Sequence, residues 1–169
     1  MKKFIVLLAA FMLANVQLFA QHTYLVNKCQ VADSDNCSIY KYNGNSSSKI
    51  LMAGDEYGYG GFSLWDEGAY VTFVLGGQYD VLTFTMGHDD RCTENVGVVT
   101  VRADENKILD EKVRGYEPPR QYTLNVSGVE KLTFKIAVND IEAVITDAVL
   151  WKSGQNVRPI TRTVTPATS

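Results

Sequence analysis

Lys131-Leu132-Thr133-Phe134-Lys135-Ile136-Ala137-Val138 is the stretch that decides the fold. Leu132, Phe134, Ile136 and Val138 alternate with Lys131, Thr133 and Lys135, and successive side chains of an extended chain point to opposite faces. The segment therefore reads as a strand with one face buried and the other wet. Residues 121–126 repeat the pattern, with Tyr122, Leu124 and Val126 facing inward and Ser127-Gly128 turning the chain into the next strand. Working outward, further strands are expected at residues 49–53, 70–75, 80–86, 96–102 and 143–151. Gly76-Gly77 joins two of them, and Asp104-Glu105-Asn106 forms a hairpin tip whose return arm is residues 107–113. Pro118-Pro119 excludes its segment from the middle of a sheet. No long stretch has a helical period and no internal repeat is visible. Short alternating strands separated by regular turns predict an all-β chain, folded as an antiparallel β-sandwich or barrel.

At the amino end, Met1-Lys2-Lys3 precedes an uncharged run over residues 4–20, and Ala20 is followed by polar Gln21. This is the pattern of a signal peptide over residues 1–20; a transmembrane anchor is the competing reading, because the run approaches spanning length. Cys29 comes too late to be a lipid-attachment site. Removal of the leader predicts a secreted, periplasmic or cell-surface protein with no membrane insertion. Residues 21–152 then form one β-sandwich domain, interrupted by a polar insert at residues 43–48, and residues 153–169 are a flexible tail or linker rich in Thr, Pro and Ser. The net charge of −3 offers no electrostatic case for nucleic acid or an anionic membrane surface.

Three cysteines in an exported chain leave one over after a single intrachain bridge, and Cys29 and Cys37, the nearest pair, are the expected disulfide. A zinc site is the sharper alternative, but Cys29, Cys37 and Cys92 contain no C-x-x-C pair and only His22 and His88 could join them.

The motifs of serine hydrolases, zinc proteases and nucleotide-binding loops are absent, so no enzymatic activity is expected. Asp66-Glu67 and Asp89-Asp90 are paired carboxylates, but neighbours in one loop cannot straddle a glycosidic bond. Asp89, Asp90 and Glu94 read either as solvated loop charge or as a calcium ligand set; no cofactor is required, and a structural calcium ion is the one this loop admits. Gly87-His88-Asp89-Asp90-Arg91 is the densest polar loop of the chain. There His88 is either a surface histidine or a sugar-hydroxyl contact, with Asp89 accepting and Arg91 donating hydrogen bonds. Tyr57, Tyr59, Phe62 and Trp65 surround the glycine-rich turn Gly58-Tyr59-Gly60-Gly61, where rings can stack on a pyranose or plug the end of a sandwich.

The order of these pieces from residue 49 to residue 151 resembles the NPCBM family of carbohydrate-binding modules. Lys49-Ile50-Leu51-Met52-Ala53-Gly54-Asp55-Glu56-Tyr57 looks like the family's opening strand and tyrosine, with the glycine turn after it. Gln78-Tyr79-Asp80-Val81-Leu82-Thr83-Phe84-Thr85-Met86-Gly87-His88-Asp89-Asp90 is similar to its strand ending in glycine and acidic residues. Val98-Val99-Thr100-Val101-Arg102-Ala103-Asp104 and Leu124 to Phe134 are similar to its later strands, and Thr146-Asp147-Ala148-Val149-Leu150 to its closing strand. Phe62-Ser63-Leu64-Trp65 stands where members often carry a histidine, and Val144 and Ile145 replace polar and tryptophan positions.

The resemblance implies a galactose-binding-like jelly roll and a non-catalytic module that binds a galactose-like or related glycan through end loops. The expected contacts are Tyr57, Tyr59, Trp65, His88, Asp89 and Arg91. The alternative is a protein-interaction or adhesion domain on the same fold, whose partner is a protein or a catalytic domain on another chain. Amino-terminal sequencing of exported material is expected to begin at Gln21; a chain that retains Met1 and needs detergent for extraction would overturn the leader reading.

Overall fold

The computed structural model describes residues 22–43, 50–57, 60–93, 96–138 and 141–160. The leader at residues 1–20 lies outside them. The chain opens with β1 (Thr23–Tyr24), a single helical turn α1 (Leu25–Lys28), β2 (Gln30–Asp35) and β3 (Cys37–Tyr40). A small hairpin follows, β4 (Ile50–Met52) and β5 (Asp55–Tyr57), and then β6 (Gly61–Trp65) and β7 (Tyr70–Val74). The second half runs through β8 (Val81–His88), β9 (Val96–Ala103), β10 (Asn106–Arg114), β11 (Arg120–Asn125), β12 (Lys131–Val138) and β13 (Glu142–Trp151).

Two antiparallel sheets result. One has the order β11-β8-β13-β6-β3, with β1 also on β13; the other has the order β10-β9-β12-β7-β2. The two meet through aromatic rings: Phe62 of the first sheet lies 5.4 Å from Phe73 and 5.0 Å from Phe134 of the second, and Phe84 lies 5.5 Å from Phe134. Phe62, Phe73 and Phe134 are completely buried, and burying a side chain of that size contributes about 1.5–3 kcal/mol. This is the antiparallel β-sandwich that the alternation predicts, consistent with the jelly roll that the resemblance implies.

In β12 the deciding stretch buries Leu132, Phe134 and Ile136, while a register shift against β9 between Ile136 and Val138 leaves Val138 exposed. Pro118-Pro119 lies just ahead of β11, which has only one strand beside it, so no ladder hydrogen bond is lost there. On β13 a second shift falls between Thr146 and Val149, where Asp147 has φ +52°. The break lets β6 pair with the first half of β13 and β1 with the second.

Three expectations are corrected. Residues 61–65 are a full strand of the first sheet rather than the end of a presented glycine turn, and Phe62 is core. The Cys29–Cys37 bridge is not formed: all three cysteines are free thiols, and the whole of β2 lies between that pair. Six extended residues span roughly 20 Å, against the ~4.4–6.8 Å between Cα atoms that a disulfide needs. Burial pushes Cys29 up to about 11 and Cys37 up to about 12, so both stay protonated at neutral pH. The tail, finally, does not leave the domain at residue 153. Ser153 donates to the Asp80 carboxylate from its N–H and its hydroxyl, Gln121 Nε2 donates to the Ile160 carbonyl, and Val157 and Ile160 pack on the core.

Gly61 lies where β6 crosses β13, and a Cβ there would run into the Ile145 carbonyl, a backbone atom that cannot swing aside. Gly61→Ala is expected to cost about 3 kcal/mol or more, read as a fall in the denaturation midpoint. A variant that unfolds like the parent would contradict this packing.

Candidate functional site

The site is built on β13. Ala143 and Ile145 belong to the main core, whereas Val144 belongs to a separate small cluster with Ile50, Met52 and Tyr57. Alternation therefore puts Glu142 and Val144 on the outer face of the first sheet. Across the ladder, Glu142 lies opposite Trp65 and Val144 opposite Ser63, whose hydroxyl is 3.4 Å from the Tyr40 hydroxyl. Gly87 lies opposite Val144 on the other side, and a Cβ there would meet the Met52 sulfur at 2.8 Å. The β4-β5 hairpin thus sits on the outer face over Val144 and Gly87, leaving the end beyond it to Trp65 and Glu142.

Asp90 holds that hairpin. Ala53 and Gly54 form its two-residue turn at φ +52° and +82°, a left-handed geometry disfavoured for alanine. Their N–H groups both donate to the Asp90 carboxylate at 2.8 Å, and the Asp90 N–H donates to the Leu51 carbonyl at 2.9 Å. Asp89 faces another way: its N–H donates to the Glu142 carbonyl, and both of its oxygens are held by Arg91. The Asp89 side chain has no solvent exposure, while that of Arg91 is 62% exposed, so a buried anion holds a guanidinium at the surface.

The carboxylates are driven in opposite directions. Burial pushes Asp89 up, but the hydrogen bonds and charge of Arg91 outweigh it and hold the group below its ordinary range. Glu142 is pushed up, first by burial and then by the Asp89 charge, against the opposing pull of Arg91, a Ser63 hydrogen bond and His88. Trp65, 43% exposed, completes the arrangement. A ring face, an acceptor at Glu142 and a planar donor at Arg91 lie at one end of one sheet, which is what binding a polyhydroxylated ring requires.

The structure redistributes the expected contacts. Trp65 and Arg91 are at this surface. Tyr57 is buried beneath the hairpin with Ile50, Met52 and Val144, because a short two-stranded ribbon needs an apolar face to sit on the sheet. His88 is buried as well, opposite Ala143 on the inner face, so it is not a surface contact. Asp89 reaches solvent only through Arg91. Tyr59 and Glu94 lie outside the described residues. The calcium reading of Asp89, Asp90 and Glu94 does not fit the two that are described: their oxygens serve Arg91 and the Ala53-Gly54 turn, and do not converge on a common point. Among the described residues no group of three potential ligands could hold a metal ion. Sequence reasoning missed Glu142, whose only signal is an isolated acid heading the apolar run Ala143-Val144-Ile145.

A family model described as the NPCBM/NEW2 domain matches residues 27–154. No curated protein matches the chain. Among solved structures it is similar to the CBM51 module of Clostridium perfringens GH95 in complex with methyl-galactose, at 17% identity and TM-score 0.61, with 77% of this chain and 99% of that one covered. It is also similar to the M60 catalytic domain structure of Clostridium perfringens ZmpB with its two CBM51 domains, at 20% identity and TM-score 0.60; 79% of this chain is covered, but it spans only 15% of that one. A third similarity is to the tandem CBM51 modules of Sp3GH98, the family 98 glycoside hydrolase of Streptococcus pneumoniae, at 14% identity and TM-score 0.61, with 78% and 47% covered. At these identities the likeness is one of fold.

The opposite shifts have opposite consequences for stability. A carboxylate lowered by folding, as Asp89 is, stabilises the fold above its unfolded value, and that contribution is lost as pH falls through the folded one. Raised by folding, Glu142 opposes the fold at neutral pH and ceases to do so once it is protonated. Glu142→Gln is therefore expected to melt above the parent at pH 7, with the difference closing as the medium is acidified below the ordinary carboxylate range. Equal melting temperatures at pH 7 would contradict the burial assigned to Glu142.

Proposed function

The chain belongs to the NPCBM/NEW2 domain family of non-catalytic modules, and on that premise we propose that it binds carbohydrate, a galactose-like sugar or related glycan, at the Trp65 surface. The observation that carries this reading is the placement of the half-exposed Trp65 ring directly opposite Glu142, with Arg91 beside them on its buried Asp89 anchor. The indole face stacks on the apolar face of a pyranose, Glu142 accepts from a hydroxyl, and Arg91 donates to one. Tyr59 is proposed as a second ring, from its place in the glycine-rich turn. The similar CBM51 module bound to methyl-galactose favours a galactoside as the first ligand to try. Modules of this fold occur beside catalytic domains, which supports a role in holding an enzyme on another chain close to its glycan. The leader supports work outside the cytoplasm, in the periplasm, at the cell surface or secreted.

Calorimetric titration of the purified chain with methyl-galactoside and a panel of neutral monosaccharides tests the proposal. Trp65→Ala and Glu142→Ala are each expected to weaken binding at least tenfold, about 1.4 kcal/mol, while melting within a few degrees of the parent. Both variants binding every ligand as the parent does would sink the site. Capture of a protein from the extracellular fraction that free monosaccharide does not displace would favour the interaction reading.

A further inference from the structure

The far end of β13 carries a second concave surface. A groove of about 380 Å³ runs between β1 and the segment that follows β13, and its walls include His22, Thr23, Trp151, Gln155, Asn156 and Arg158. Nine residue steps separate Glu142 from Trp151, roughly 30 Å along the strand, so the groove does not overlap the Trp65 surface. Its volume falls in the ~300–1,000 Å³ range typical of small-molecule sites.

We infer that this groove is a second ligand site, for a sugar that carries a carboxylate. Its apolar wall is pre-arranged. The Trp151 indole N–H donates to the Thr83 hydroxyl at 2.9 Å, which sets the ring, and His22 stands edge-on to it with centroids 6.0 Å apart. The polar wall is held by the turn that follows. Ser153 is tied to Asp80 through two donors, and Gln155 Oε1 accepts from the Lys152 N–H at 2.6 Å, leaving the Gln155 amide NH₂ as a donor. Turning the Asn156 amide so that its oxygen faces Arg158 lets that oxygen accept from Nε and Nη2 at 3.2 and 3.1 Å. No carboxylate pairs with Arg158 among the described residues. Asp80, the acid on the adjoining turn, already accepts from Ser127 and Ser153.

The groove thus offers a guanidinium that pairs with no carboxylate of the described residues, an imidazole, an amide donor and an aromatic wall. A carboxylate matches the planar fork of arginine, and the ring that bears it matches the aromatic wall and the amide donors. A neutral sugar would leave the cation unmatched, and a bare carboxylate would leave the apolar wall unused. The sugar half of this ligand rests on the carbohydrate-binding reading, and the acidic half rests on the charge of the groove.

Titration of the purified chain with glucuronate, glucose, acetate and methyl-galactoside, each followed by calorimetry and by the indole N–H resonances in NMR, tests the site. Glucuronate is expected to bind at least tenfold more tightly than glucose or acetate and to shift the Trp151 indole resonance. Arg158→Gln, a change outside the strands, should abolish that preference without altering the melting temperature or galactoside binding. Failure of glucuronate to bind, binding that survives Arg158→Gln, or equal binding of acetate would each overturn the inference. Loss of galactoside binding alone in the parent would strike the Trp65 proposal and leave this site standing.

Discussion

Two adjacent carboxylates at the end of β8 control the surface on which the functional reading rests. Asp90 accepts both N–H groups of the Ala53-Gly54 turn, and Asp89 accepts the Arg91 guanidinium. Left-handed geometry costs an alanine about 1–2 kcal/mol, and two charge-assisted hydrogen bonds offset a cost of that size. The turn in turn seats Met52 and Tyr57 on Val144 and Gly87. One loop therefore closes the small outer core and aims a cation at the neighbouring open surface. The Asp89 and Asp90 carboxylates are engaged in doing so, and of the three charged residues Asp89, Asp90 and Arg91 it is the Arg91 guanidinium that is left facing solvent.

What remains for a ligand comes from the strands. Trp65 and Glu142 lie on neighbouring strands in fixed register, so the distance between ring and acceptor is set by the sheet rather than by a loop. Arg91 projects from a loop, but its buried partner restricts it in a comparable way. Such a surface enters a complex with little left to order, and that preserves the modest energy a single sugar can supply. The same arrangement is poorly suited to hydrolysis. Glu142 and Asp89 are neighbours on one side of the surface, and Asp89 is wholly buried, so the two cannot flank a glycosidic oxygen from opposite sides.

The fold was legible wherever burial is one-sided. Residues 121–126 and 131–138 alternate because each strand has one face on the core, and both were read correctly up to the register shift that turns Val138 outward. β2 was not legible: Gln30-Val31-Ala32-Asp33-Ser34-Asp35 is an edge strand wet on nearly every residue, and edge strands favour charge over pattern. β6 escaped notice for the opposite reason. Gly61-Phe62-Ser63-Leu64 is buried on both faces, and its glycine, there to let two backbones approach, imitates a turn. For the site, residue type singles out aromatic and charged candidates, of which Trp65 and Arg91 are exposed, but burial separates a contact from its support, and burial depends on which strands become neighbours. Tyr57, His88 and Asp89 were therefore assigned to the surface when they lie beneath it. Glu142 was overlooked because only the register with Trp65 gives it a role.

The central claim is that Trp65, Glu142 and Arg91 form one sugar-binding surface. The measurement that tests it most directly is a crystal structure of the chain grown with methyl-galactoside. The account predicts a pyranose lying against the Trp65 indole, with hydroxyls within hydrogen-bonding distance of the Glu142 carboxylate and the Arg91 guanidinium. A sugar bound elsewhere on the domain, with the Trp65 face still open to solvent, would contradict it.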